Sequence, residues 1–148
     1  MKRTAFLKAL SANDVGATGT HQAGILIPKT NGELLGFLPH LDAGTKNPSA
    51  WIECIDEDGT PRRFRFVYYN NRLHEPGGTR NEYRITYTTG YFRDMQAREG
   101  DALEISRGEG EPRYRTRLIR QEAPPVPAAT EDGDGIRIRI RAGWSRVH

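Results

Sequence analysis

Apolar positions along this chain recur mostly with a period of two. Thr4–Leu10, Gly24–Ile27, Ala50–Ile55, Arg63–Tyr69, Tyr83–Thr88, Ala102–Ser106 and Tyr114–Arg120 all carry alternating or short apolar runs, the pattern of strands with one buried face. Two stretches interrupt it, Glu33–Leu38 before Pro39 and Phe92–Arg98 before Gly100. They predict helices too short to stand alone, suited to plugging the ends of a barrel. Asp56-Glu57-Asp58-Gly59 predicts a tight turn, with Asp-Gly at the place a hairpin favours, so the strands on either side should be antiparallel neighbours. The pattern is that of an all-β barrel or sandwich with two short helices.

With 148 residues the chain suits one domain, large enough to bury about two thirds of the surface its unfolded form exposes. The expected body is residues 1–122. Residues 123–135, rich in proline, glycine and acidic side chains, read as a linker. Beyond it, Ile136-Arg137-Ile138-Arg139-Ile140-Arg141 alternates strictly. Within residues 136–148 it predicts a strand that closes the barrel or begins a second domain. An unpaired apolar edge is an aggregation hazard, which favours closure. The lone Cys54 has no partner for an internal disulfide and sits at an apolar strand position. No run approaches the ~20 apolar residues of a membrane span, and no apolar leader precedes the first strand, so a cytoplasmic location is expected.

Charge narrows the function. Only four of the 22 basic residues are lysine, and the net charge is +3. Guanidinium forks suit phosphate and guanine, although a GC-rich genome that substitutes Arg for Lys throughout has the same effect. Two polar segments concentrate base-reading chemistry. The first, Ser11 to Gly24, holds Asn13, Asp14, His21 and Gln22 among glycines that let the backbone approach a ligand. The second follows Gly77-Gly78 with Arg80, Asn81, Glu82, Tyr83 and Arg84. Here Arg80 and Arg84 can fork onto guanine and Glu82 can accept from cytosine. The plain alternatives are an Asx-turn at Asn13-Asp14 and a weak surface Arg–Glu pair.

No catalytic constellation accompanies these arms. A magnesium-dependent nuclease needs clustered carboxylates with a lysine two positions after one of them. The residues two before Lys8, Lys29 and Lys46 are Phe6, Ile27 and Gly44, and His21, His40, His74 and His148 lack metal-site spacing. The chain reads as a binding module needing neither metal nor cofactor.

Leu10-Ser11-Ala12-Asn13-Asp14 with Gly16-Ala17-Thr18-Gly19 and His21-Gln22, together with Tyr68-Tyr69-Asn70, Thr79-Arg80-Asn81-Glu82 and Arg84-Ile85-Thr86, resemble the N-terminal effector-binding domain of EcoRII-type restriction endonucleases. That resemblance implies a DNA-binding pseudobarrel of seven to eight strands, related to the plant B-three domain. It also implies two arms in the major groove and a CCWGG-like target in double-stranded DNA. Catalysis would reside in a separate C-terminal nuclease domain, and one monomer would occupy each site. Thr20, Leu26, Gly78 and Tyr83 depart from the family's usual residues.

Further positive charge is available at Lys8, Arg63, Arg65 and Arg72, expected to meet phosphates, and at Arg113, Arg115 and Arg117. An ordinary solvated strand face explains the striped arginines equally well. Two other functions remain open. One is a transcription regulator of the same fold. The other is an oligonucleotide- or RNA-binding barrel that stacks bases on Trp51, Tyr68, Tyr69, Tyr87 and Tyr91.

Overall fold

A computed structural model describes residues 2–16, 24–121 and 143–147. Its strands are β1 (Arg3–Ala9), β2 (Ile25–Ile27), β3 (Ser49–Ile55), β4 (Pro61–Tyr69), β5 (Glu82–Thr86), β6 (Ala102–Gly108), β7 (Tyr114–Ile119) and β8 (Trp144–Arg146). They form one eight-stranded sheet in the order β2-β5-β4-β3-β7-β6-β1-β8. All neighbours are antiparallel except β3 and β7, which pair in parallel at Cys54 and Ile55. The sheet curls until its two ends approach. Trp144 on β8 donates its indole N–H to the Leu26 carbonyl on β2 at 3.0 Å. The result is the barrel-like, mostly β fold expected from the alternation.

The alternation has a direct physical cause. Phe64 and Phe66 of β4, Ile52 and Cys54 of β3, Ile85 of β5 and Phe6 of β1 point inward and are almost wholly buried. Burial, with Glu53 beside it, raises the Cys54 thiol to about 12. The turn at Asp56 is built as expected: Gly59 N–H donates to the Asp56 carbonyl, and the Asp56 carboxylate accepts from Asp58 N, Thr60 N and Arg62 Nε.

Three helices accompany the sheet where two were expected. Helix α1 (Gly32–Phe37) is capped by the Asn31 side chain and buries Leu34. Helix α3 (Thr89–Asp94) buries Tyr91 and Phe92. It stops before the expected Arg98, and Gln96 adopts a positive φ of 55°. The additional helix α2 (Asn71–His74) is a single turn with no buried residue, so no apolar period marks it. It is held by tertiary hydrogen bonds at Asn70, which is fully buried. The Asn70 amide side chain donates to the Ala43 and Thr45 carbonyls and accepts from Asn47 N–H, and the Asn47 side chain accepts from Asn70 N–H.

Candidate nucleic-acid interface

The strand registers define one continuous outer face across β2, β5, β4 and β3. Leu26 lies opposite Arg84, which lies opposite Val67; Thr86 lies opposite Arg65, which lies opposite Trp51; Glu82 lies opposite Tyr69. Alternation places all of these on the side opposite Phe64, Phe66 and Ile85, where Val67 is itself fully covered. Arg63 and Glu53 extend the face as an ion pair at 3.0 Å, with the Arg63 guanidinium 4.4 Å from the Trp51 ring centroid. Tyr87 adds an edge-on contact to Trp51, and both rings are exposed.

The two candidate arms flank this face at opposite ends of β5. The first arm connects β1 to β2 and returns to the sheet at Gly24, beside Ile85 and Thr86. The second connects β4 to β5 and enters at Glu82. At a rise of about 3.4 Å per residue, the Glu82 and Thr86 ends of β5 are roughly 14 Å apart.

Arg84 sits between the arms and is bonded to the root of each. Its Nε donates to Glu82, and its Nη1 donates to the Gly24 carbonyl at 3.0 Å. Glu82 also accepts from Arg80 Nη2 at 3.0 Å on the same oxygen. These bonds, from Arg84 foremost and then Arg80, hold the Glu82 carboxyl below the ordinary carboxylate range. Arg80 in turn stacks on Tyr69, 3.8 Å from the ring centroid. A planar guanidinium held by a ring on one face and a carboxylate at one edge is fixed in orientation, and the Arg80 side chain stays partly open to solvent.

The second arm is shaped by close backbone approach. Arg72 N–H donates to the Arg80 carbonyl, and Arg80 N–H donates to the Asn71 side chain. A Cβ at Gly78 would stand 2.2 Å from the Asn71 carbonyl oxygen, so glycine is required where the arm folds over α2. Asn81 accepts a hydrogen bond from the Tyr68 hydroxyl.

Among the expected site residues, Arg80, Glu82 and Arg84 come together, with Arg63 and Arg65 on the same face. Arg72 is exposed on α2 at the second arm. Tyr83 points to the inner side, stacked on Tyr68 with ring centroids 4.1 Å apart. Burial, with Tyr68 beside it, raises its hydroxyl above the ordinary value. Lys8 and Asp14, expected to face DNA, face each other instead. They form a buried ion pair at 2.9 Å at the root of the first arm. Asp14 further accepts from Ser11 N–H, and Ser11 Oγ accepts from Asp14 N–H. Asn13 is exposed within that turn, which Gly16 closes at φ 79°. His21, Gln22 and Ile136–Arg141 lie outside the described residues. Arg115 and Arg117 stand on β7, across β3 from β4 and β5, and bond to Glu111 and Glu104. Trp144 has no role expected from the sequence, because an isolated tryptophan after a linker carries no periodic signal.

Residues 2–113 match the family model described as restriction endonuclease EcoRII, N-terminal. The type II restriction enzyme EcoRII of Escherichia coli is 39% identical over an alignment 89 residues long that covers 55% of this chain and 20% of that enzyme. The chain therefore spans about a fifth of the length of that relative. Among solved structures, a chain of the Arabidopsis FUS3–DNA complex superposes with a TM-score of 0.60 at 20% identity. The superposition covers 80% of this chain and 99% of that one.

Proposed function

The chain belongs to the family of the EcoRII N-terminal domain, and we propose that it binds double-stranded DNA sequence-specifically, gripping the major groove between its two arms. The observation that carries this reading is the fixed Arg80–Glu82–Arg84 cluster, bonded to both arm roots and set on an outer face that also carries Arg63 and Arg65. Arginine forks and a carboxylate acceptor are the groups that distinguish a G·C pair in the major groove. Exposed Arg72 and half-buried Arg65 suit phosphates, which supply affinity without sequence information. Asn13, His21 and Gln22 of the first arm and Asn81 of the second join as candidate base readers. Lys8, Asp14 and Tyr83 hold the arms in place.

By family, the target is a CCWGG-like pentanucleotide. Five base pairs span about 17 Å, close to the roughly 14 Å between the arm roots. One chain then serves one site, and sedimentation of the saturated complex should give a one-to-one ratio. The match to the N-terminal family and to a fifth of the longer enzyme supports a recognition part, with DNA cleavage belonging to residues outside it. The chain thus acts as the recognition domain of a restriction enzyme. A regulator of transcription would use the same binding chemistry.

Stacking on single strands fits less well. Of the five rings that reading needs, Tyr68 and Tyr91 are buried. The discriminating experiment is selection from a randomised duplex pool in the presence of single-stranded competitor. Recovery of a short G·C-rich motif supports groove reading, and displacement by the single strand opposes it.

A further inference from the structure

We propose that Trp144 is a positioning residue for DNA recognition, stapling both roots of the first arm and thereby setting Arg84. This deepens the duplex-recognition reading and rests on it. The first arm leaves β1 and returns to β2; among the described strands β2 and β8 lie on either side of the open seam, and β8 flanks β1. Strand β8 pairs with β1 so that Trp144 lies opposite Lys8. Lys8 holds Asp14, where the arm begins, through the buried 2.9 Å ion pair. Across the seam, the Trp144 indole N–H donates to the Leu26 carbonyl, two residues after the arm ends at Gly24. Leu26 faces Arg84 across the β2–β5 pair, and Gly24 accepts the Arg84 Nη1 bond.

One side chain therefore crosses the seam and ties β2, where the arm ends, to β8 and through its pairing to β1, where the arm begins. Strand β2 has only three residues, and β5 is its sole strand neighbour among the described residues. Without the indole bond, β2 is held at the seam by fewer constraints, and its Gly24 carbonyl is a looser partner for Arg84. The remaining ties of β8 do not share this role. Arg146 pairs with Glu33 at 2.7 Å near α1, away from β5.

The test uses the full 148-residue chain, a 20-base-pair duplex carrying CCAGG and a duplex of scrambled sequence. Trp144→Phe keeps an aromatic ring and removes the donor. Losing one hydrogen bond of ordinary net worth should lower affinity for the CCAGG duplex about fivefold, with little change on the scrambled one, at a temperature where the variant is fully folded. Arg146→Ala should leave both affinities unchanged. Combined with Arg84→Ala, Trp144→Phe should add no further loss, because its effect runs through Arg84. Full additivity, or unchanged selectivity with only a lower Tm, would overturn the proposal. A wild-type chain that does not distinguish the duplexes would instead count against the recognition reading. Hydrogen exchange then decides the staple without DNA: Trp144→Phe must speed exchange at Leu26 and Arg84 selectively, and uniform or unchanged exchange refutes it.

Discussion

The Arg84 side chain donates to the Gly24 carbonyl at 3.0 Å across the β2–β5 pair, joining the end of one arm to the strand on which the other also ends. This bond requires β2 and β5 to approach closely, and the residue at the junction shows how closely. Gly24 has φ 95°, and a Cβ there would lie 2.7 Å from both the Ile85 carbonyl oxygen and the Thr86 methyl group. Arg84, Glu82 and Arg80 thus form a cluster that is organised before any ligand arrives.

Gly24→Ala should therefore be costly. Alanine at a positive φ destabilises by about 1 kcal/mol or more, and the overlap with β5 adds to it. Gly16→Ala, at φ 79° with nothing within 4 Å of its Cβ, provides the contrast and should cost only the backbone term. Urea midpoints of the two variants check this. Equal losses would mean that the β2–β5 approach is not tight.

Asp14 should behave as part of the scaffold. Removing it leaves the Lys8 ammonium buried without its counter-ion, which costs about 3–5 kcal/mol in comparable cases, whereas replacing both partners by apolar residues is often close to neutral. Chemical denaturation should show Asp14→Ala strongly destabilised and the Lys8→Met, Asp14→Leu double variant largely recovered. A loss below about 0.5 kcal/mol for Asp14→Ala would remove the pair from the structural account.

Acid should loosen the reading cluster. Arg84 and Arg80 hold the Glu82 carboxyl below its ordinary value of 4.5. A depressed folded-state pKa contributes stability that is complete above the unfolded value and is lost as pH falls through the folded one. Below about pH 4.5, then, the Tm of the wild type should drop more steeply than that of Glu82→Gln. Asp56 adds to the same acid limb: burial alone would raise its pKa, but the Arg62 bond and the turn amides outweigh burial and lower it. Parallel Tm curves for wild type and Glu82→Gln would contradict the Glu82 assignment.

Much of this architecture is legible in the chain because a two-residue period translates directly into inside and outside. Phe64 and Phe66 alternate with Arg63 and Arg65, and that alone places the arginines on the outer face. What is not legible depends on partners distant in sequence. Nothing in the period around Lys8 indicates that its ammonium turns back to Asp14. Tyr83 reads as an arm residue by position, but the register opposite Tyr68 turns it inward. Helix α2 has no apolar face and exists because Asn70 ties it to the loop at Ala43–Asn47. The parallel pairing of β3 with β7 joins strands separated by three others, a relation that local patterning does not encode.

The most direct test of sequence-specific recognition separates selectivity from affinity. Fluorescence anisotropy should be measured at two salt concentrations with a CCAGG duplex and a scrambled one. Arg80→Ala and Glu82→Ala should each cost about 1–3 kcal/mol on the CCAGG duplex and little on the scrambled one. Arg115→Ala, on β7 and paired with Glu111, should change neither. A uniform loss at Arg80 and Glu82 together with a selective loss at Arg115 would contradict the account and move the reading surface to the arginine-striped strands.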